Sequence, residues 1–387
     1  MIALALALVA HATEGMWPPD QAPGIGATAG LALDPAVLGD PGGHPLGAVV
    51  QVGGYCSASF VSPDGLIATN HHCVQEFLQV ASSAEHNYAF DGYVAKSRQD
   101  ELSGGPDASV FLVERIEDVT QPVKEAADAA KDDLARSLAI EQVEKDLVAR
   151  CEKAADQCYV TAYAGGQAYK LVHRRELKDV RLVWAPPMGT GQFGGEIDNW
   201  MWPRHGADVS LLRAYVAPNG KAAEFNSKNV PYRPPQFLKI AAEGSQDGDP
   251  MFVAGYPGST ERDVPTVILR WELDHTPAER DFLQALRDLY VGWIAKDPTA
   301  AAKLVEPRDN ASNSLKYDQG LIDDMKLVDV LAIRAAREDE IRAWIAADPA
   351  RSASWKAATD EWFALAAERV GTLARSRTAG AITGTAV

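Results

Sequence analysis

The chain has 387 residues, 47% hydrophobic and 23% charged, with a formal net charge of -16 at pH 7. That length carries two or three domains with real cores, and an acidic balance with no basic tract argues against nucleic acid or an anionic membrane surface as a partner. Four cysteines, an even number, suit an oxidising compartment, against the alternative of reduced thiols in a cytosolic protein.

Taken in chain order, Ile2 to Ala10 is an apolar run ending at Ala10-His11-Ala12. It reads as a signal peptide over residues 1–12, although no Lys or Arg precedes it, and it is too short to span a bilayer. The expected location is periplasmic or secreted, with no membrane association after signal removal. Glu14 to Val52 is rich in Gly and Pro and reads as an extended arm. Next, Phe60-Val61 and Leu66-Ile67-Ala68 are short β-type runs, and Ser62-Pro63-Asp64-Gly65 between them has the chemistry of a tight turn, so the two runs form a hairpin. Further strands are expected at Val110 to Ile116, Val180 to Trp184 and Val209 to Val216. A charged, Ala-rich helix interrupts them over residues 123–155, with Leu134, Leu138, Val143 and Leu147 at helical spacing. The run Met251 to Gly258 reads as another strand. After Trp271 the pattern is helical, through Glu279 to Ile294, Leu321 to Ala346 and Ser354 to Leu373, and Thr378 to Val387 is expected to fray.

The chemistry concentrates at two places. The hairpin ends in Asn70-His71-His72-Cys73, so a histidine stands at the rim of a sheet, where its ring can face a cleft while its backbone is held. Cys56 and Cys73 flank the hairpin closely enough to bridge it, and such rigidity is what a general base needs. The competing readings are an ordinary polar loop end, or a zinc site built from His71, His72 and cysteines. The second wants more ligands at metal spacing, since Cys151 and Cys158 lie far off in sequence beside only the lone His173. Cys56 with Cys73 and Cys151 with Cys158 are the most local of the possible pairings. The other place is Asn199-Trp200-Met201-Trp202-Pro203-Arg204, leading to Asp208 at the entrance of an apolar run. Asp208 alone is more readily a strand-entry turn residue, and at least one of Trp200 and Trp202 is expected to pack in a core.

The stretch Tyr55 to Cys73, and the block from Phe193 to Asp208, resemble the two signature blocks of the bacterial dipeptidyl-peptidases of serine-peptidase family 46, of the dipeptidyl-peptidase 7 and 11 type. The likeness runs from about Glu14 to beyond Glu338. It implies a fold of mainly β plus α: a chymotrypsin-like double β-barrel with an α-helical domain inserted in the second barrel. On this resemblance His72 is the catalytic base with His71 its neighbour, and Asp208 is the triad aspartate. Asn199, Trp200 and Arg204 shape the site of the substrate's free amino terminus, and Asn313, in Asn313-Ser314-Leu315-Lys316, is a further contact there. Serine acyl transfer asks for those types in any case: an imidazole as base, and a carboxylate to hold its tautomer and stabilise the imidazolium.

The nucleophile of this fold sits in a glycine-flanked turn that supplies an oxyanion hole. No Gly-x-Ser-Gly occurs here, and Ser259 lacks a following glycine. The expected organisation is therefore an N-terminal portion: an arm and first barrel over 13–245, the start of a second barrel over 246–272, and an incomplete helical domain over 273–387. The expected function is an exported dipeptidyl aminopeptidase acting on peptides with a free N-terminus, with no metal or cofactor and a homodimer left open; the alternative is an inactive peptide-binding or assembly module on the same fold.

Overall fold

The computed structural model describes residues 15–29, 31–83, 85–152, 157–191, 199–258, 264–297 and 301–383. The signal-like segment 1–12, residues 193–198 of the second signature block, and Ser259 lie outside the described residues. The chain divides into two units, residues 1–192 with 207–258, and residues 193–206 with 259–387.

The first unit is built on an antiparallel sheet. Its elements in chain order are α1 (Ala22–Ala29), β1 (Val49–Val52), β2 (Cys56–Phe60), β3 (Leu66–Thr69), α2 (Gln75–Ala81), α3 (Tyr88–Asp91), β4 (Tyr93–Val94), β5 (Leu102–Ser103), β6 (Val110–Asp118), α4 (Thr120–Asp128), α5 (Asp133–Cys151), β7 (Gln157–Tyr163), β8 (Ala168–Leu177), β9 (Asp179–Ala185), α6 (Met188–Gly191), β10 (Ser210–Val216) and β11 (Val230–Pro231). The strands run β4-β9-β10-β3-β2-β1-β6-β8-β7 in one sheet, with β11 on β10 and β5 on β9.

The expected hairpin forms for the expected reason. Ser62 Oγ accepts from the backbone N–H of Asp64 at 3.2 Å and of Leu66 at 3.1 Å, and Gly65 takes a φ of 71° that a side chain would resist. A Cβ at Gly65 would also stand 2.7 Å from the Tyr232 carbonyl oxygen. Phe60 and Ile67, paired across the hairpin, are fully buried with Val50, Val52, Leu182 and Leu212 in the main core. The alternation of buried and half-exposed residues along β1, β2 and β3 is the period-two pattern of a sheet with one covered face.

Several expectations are corrected. The arm from Glu14 to Val52 is not simply extended: it contains α1 and ends as β1, and Lys170 Nζ ties it down through Asp20 at 2.7 Å. The single helix over 123–155 is two helices, because Asp132 caps a fresh start by accepting from the Ala135 N–H at 2.8 Å. Val123, Leu147 and Cys151 of this pair pack on Cys158, Tyr169 and Leu171 of β7 and β8 as a second small core, whereas Leu134 and Leu138 are exposed. The alternate residues of β7 and β8 carry too many polar groups for the two strands to announce themselves. The run Met251 to Gly258 is not a strand; Met251 and Val253 are exposed, and no strand among the described residues pairs with it. An apolar run becomes a strand only where a neighbour takes up its backbone hydrogen bonds.

The second unit is helical: α7 (Thr266–Lys296), α8 (Ala301–Leu327), α9 (Val330–Ala346) and α10 (Pro349–Thr383). The continuous helix expected over Leu321 to Ala346 is broken at Val328-Asp329, where Asp329 caps α9 by accepting from the Ala332 N–H at 2.9 Å. Thr378 to Thr383 continue α10, and Gly384 to Val387 lie outside the described residues. Among the described residues no helix is long and apolar enough to cross a membrane.

Candidate active site

Strand register brings the two distant signature residues together. In the antiparallel pair β3–β10, Thr69 stands opposite Ser210, so the residues that follow Thr69 and those that precede Ser210 leave the sheet at the same edge. His72 and Asp208, 136 positions apart, therefore meet: His72 Nδ1 lies 2.8 Å from Asp208 Oδ2. The His72 backbone N–H donates to Asp208 Oδ1 at 3.0 Å, and Asn70 Nδ2 donates to Oδ2 and to the backbone oxygen of Asp208, both at 3.1 Å. Burial pushes the Asp208 carboxyl up, but the hydrogen bonds and charge of His72, with the Asn70 amide, outweigh it and hold the group below its ordinary value. Asp208 is thus an anion facing Nδ1–H, which leaves the Nε2 lone pair as the proton acceptor. The His72 side chain is 37% exposed and that of Asp208 only 11%, so the imidazole is reachable while the carboxylate is shielded.

The loop is held at both ends. A Cys56–Cys73 disulfide closes it. Beneath it His71 is fully buried, its Nδ1 accepting from Gln75 Nε2 at 3.1 Å. Its ring fills the space that a side chain at position 191 would need, since a Cβ there would fall 2.6 Å from His71 Cγ. Ala207 N–H donates to Thr190 O at 2.7 Å, so the chain re-enters the first unit beside the end of α6, immediately before Asp208. Asn70 and Gln75 were not singled out from sequence, although Asn70 directly precedes the histidine pair.

Burial lowers the His71 pKa, opposed by the Asp208 charge and the backbone of Gly191, with His72 adding to the lowering and the backbone of Pro186 to the raising. Below about pH 6.5 the unfolded chain takes up a proton at this ring that the folded chain refuses. Stability contributed by neutral His71 is therefore complete above that pH and declines as pH falls toward the depressed folded value, with a slope of up to about 1.4 kcal/mol per pH unit. Urea midpoints measured between about pH 7.5 and 5 should show this decline, and His71→Gln should flatten it; an unchanged slope in the variant would assign the acid sensitivity elsewhere.

In the second unit, Asn199 is buried and its Nδ2 donates to Asn313 Oδ1 at 2.9 Å. The Trp200 indole N–H donates to the Asn313 backbone oxygen at 3.1 Å, and its ring lies 5.4 Å from that of Tyr317. Three of the four expected substrate-binding residues thus form one cluster, in which the Asn199 side-chain oxygen remains an acceptor suited to an ammonium group. Arg204 lies on the exposed stretch 201–206. The core position expected for at least one Trp is corrected: Trp200 is 58% and Trp202 91% exposed. Trp200 has a φ of 62°, a left-handed conformation that costs a non-glycine residue roughly 1–3 kcal/mol, and its contacts with Asn313 and Tyr317 hold it there.

All four cysteines are bridged, Cys56 to Cys73 and Cys151 to Cys158. A family model described as Peptidase S46 matches residues 12–386. The Asp/Glu-specific dipeptidyl-peptidase of Shewanella putrefaciens is 38% identical over 348 residues, covering 88% of this chain and 47% of that protein. Dipeptidyl-peptidase 7 of Phocaeicola vulgatus is 36% identical over 330 residues, covering 81% and 45%. Porphyromonas endodontalis DPP11 in complex with the dipeptide Arg-Asp superposes with a TM-score of 0.77 at 30% identity, over 92% of this chain and 53% of that one. The same protein in complex with Arg-Glu gives 0.74 at 32% identity, over 86% and 49%. The chain spans about half the length of these relatives. On a match that runs almost from end to end, the chain belongs to the peptidase S46 family.

Proposed function

We propose that this chain carries the general base and the orienting acid of an exported serine dipeptidyl aminopeptidase that releases dipeptides from free peptide N-termini. The observation that carries the reading is the short His72–Asp208 contact at the sheet edge; the dipeptidyl-peptidase relatives support it. In this reading the sheet belongs to the first barrel of a chymotrypsin-like pair and the helices to an insertion in the second. The nucleophilic serine lies in the part of the relatives' length that this chain does not span. His72 Nε2 takes the serine proton as the oxygen attacks the scissile carbonyl, and gives it to the departing amine as the acyl-enzyme forms; a water then repeats the exchange. Asp208 stays ionised and stabilises the imidazolium throughout. Asn199, Trp200, Arg204 and Asn313 receive the substrate's ammonium end, which limits the product to a dipeptide.

The test is a panel of chromogenic dipeptides with acidic or hydrophobic second residues, each with a free and an acylated amine, offered to this chain and to a form extended through the remaining length of its relatives. The extended form should cleave only the free-amine peptides, and this chain alone should cleave none. Equal cleavage of acylated peptides would remove the aminopeptidase reading. Cleavage by this chain alone would put the nucleophile inside it.

A further inference from the structure

The second disulfide has a histidine set against it that the mechanism does not use. Cys158 and His173 are direct cross-strand partners on β7 and β8, and Cys151 ends α5 above them. All three are buried. His173 Nδ1 lies 3.0 Å from Cys151 Sγ and 3.9 Å from Cys158 Sγ, and the three candidate ligand atoms fall within 4.8 Å of one another. On the other side of the ring, Nε2 lies 3.2 Å from Glu117 Oε1. Arg115 Nη2 lies 3.0 Å from Nδ1, and Arg115 also pairs with Glu117. A guanidinium can only donate, so Nδ1 presents its lone pair to Arg115 and Nε2–H faces Glu117, while Cys151 Sγ, 3.7 Å from Nε2 as well, stands over the ring face.

We propose that two-electron reduction of the Cys151–Cys158 bond opens a zinc site of two thiolates and the His173 imidazole. A dithiol supplies the two electrons and two protons, becoming a disulfide itself and leaving two cysteine thiols. Zinc then displaces both thiol protons to solvent. Two thiolates and one neutral imidazole around a dication carry no net charge, so the site places no uncompensated charge in the small core. Glu117 on Nε2–H is the carboxylate that fixes the tautomer and raises the basicity of a ligating histidine. Arg115 opposes the metal: it holds the lone pair that zinc needs, and its side chain, more than half exposed, must swing out before binding. The sequence shows only a distant cysteine pair and a lone histidine; the β7–β8 pairing makes them one cluster.

The test is zinc retained after gel filtration of the dithiol-reduced and the oxidised chain, with the melting temperature recorded with and without zinc. The cobalt adduct reports sulfur ligation through its sulfur-to-metal charge-transfer band. Reduced protein should hold stoichiometric zinc, show the cobalt band and melt higher with zinc, while oxidised protein shows none of these. His173→Ala should weaken binding by at least about tenfold, and Arg115→Gln should tighten it, an effect that a purely structural arginine would not produce. No zinc on the reduced chain, whether folded or not, overturns the proposal. So does zinc held undiminished by Cys151→Ser/Cys158→Ser, which would put the metal at Cys56, Cys73 and His72.

Discussion

Asp208→Asn is expected to lower dipeptide release by the extended form of the chain by about four orders of magnitude while leaving the fold intact. Oδ1 of residue 208 accepts from the His72 backbone N–H and Oδ2 from the ring. An asparagine that keeps the first contact must turn its NH2 toward Nδ1. The ring then accepts at Nδ1 and carries its proton on Nε2, the nitrogen that should receive the serine proton. The imidazolium would also lose the buried negative charge beside it. Turnover measured on a free-amine dipeptide substrate, beside a melting curve, checks both halves. Near-normal turnover would reassign the acid, and a collapsed melting temperature would make the result one of stability.

The largest stability effect is expected at Asp179→Ala, with a loss of about 3–5 kcal/mol. Asp179 and Arg181, two apart on β9 and so on one face, are both buried and joined by two bonds, Nε to Oδ1 at 2.8 Å and Nη2 to Oδ2 at 2.7 Å. Arg181 lies between the rings of Tyr215 and Phe225, 3.8 and 4.7 Å from their centroids, and Asn229 Nδ2 donates to Asp179 Oδ2 at 2.9 Å. A guanidinium cannot shed its charge, so removing the carboxylate strands a cation under two aromatic faces. Replacing both residues, Asp179→Leu with Arg181→Met, should cost much less, because no charge is left behind. Urea unfolding of the single and double variants separates the cases; a single-variant loss below about 1 kcal/mol would show that the pair is redundant. Because Asp179 pairs with Tyr215, at the end of β10 away from Asp208, the loss should appear as less folded protein, not as lower activity per folded molecule.

What was legible in the sequence was local. Ser62-Pro63-Asp64-Gly65 specifies its turn by side-chain chemistry, so the hairpin and the histidine at its rim could be read directly. Asp208 could be read only by resemblance, because the β3–β10 register that delivers it joins segments with no local signal for each other. The same limit hid the neighbours of His173. Met251 to Gly258 failed in the opposite direction: its composition suits a strand, but composition says nothing about whether a partner strand stands beside it. Trp200 and Trp202 misled because large apolar side chains usually sit inside, and the left-handed backbone and Asn313 contacts that keep Trp200 at the surface leave no mark in a single sequence.

The bond from Ala207 to Thr190 has a wider meaning for how such an enzyme can change. It ties Thr190 to Ala207, which flank residues 192–206 in the sequence, so a graft that shortened, lengthened or rewrote that stretch would leave Asp208 anchored in the first unit. His72 and Asp208 would keep their alignment while that segment diversified.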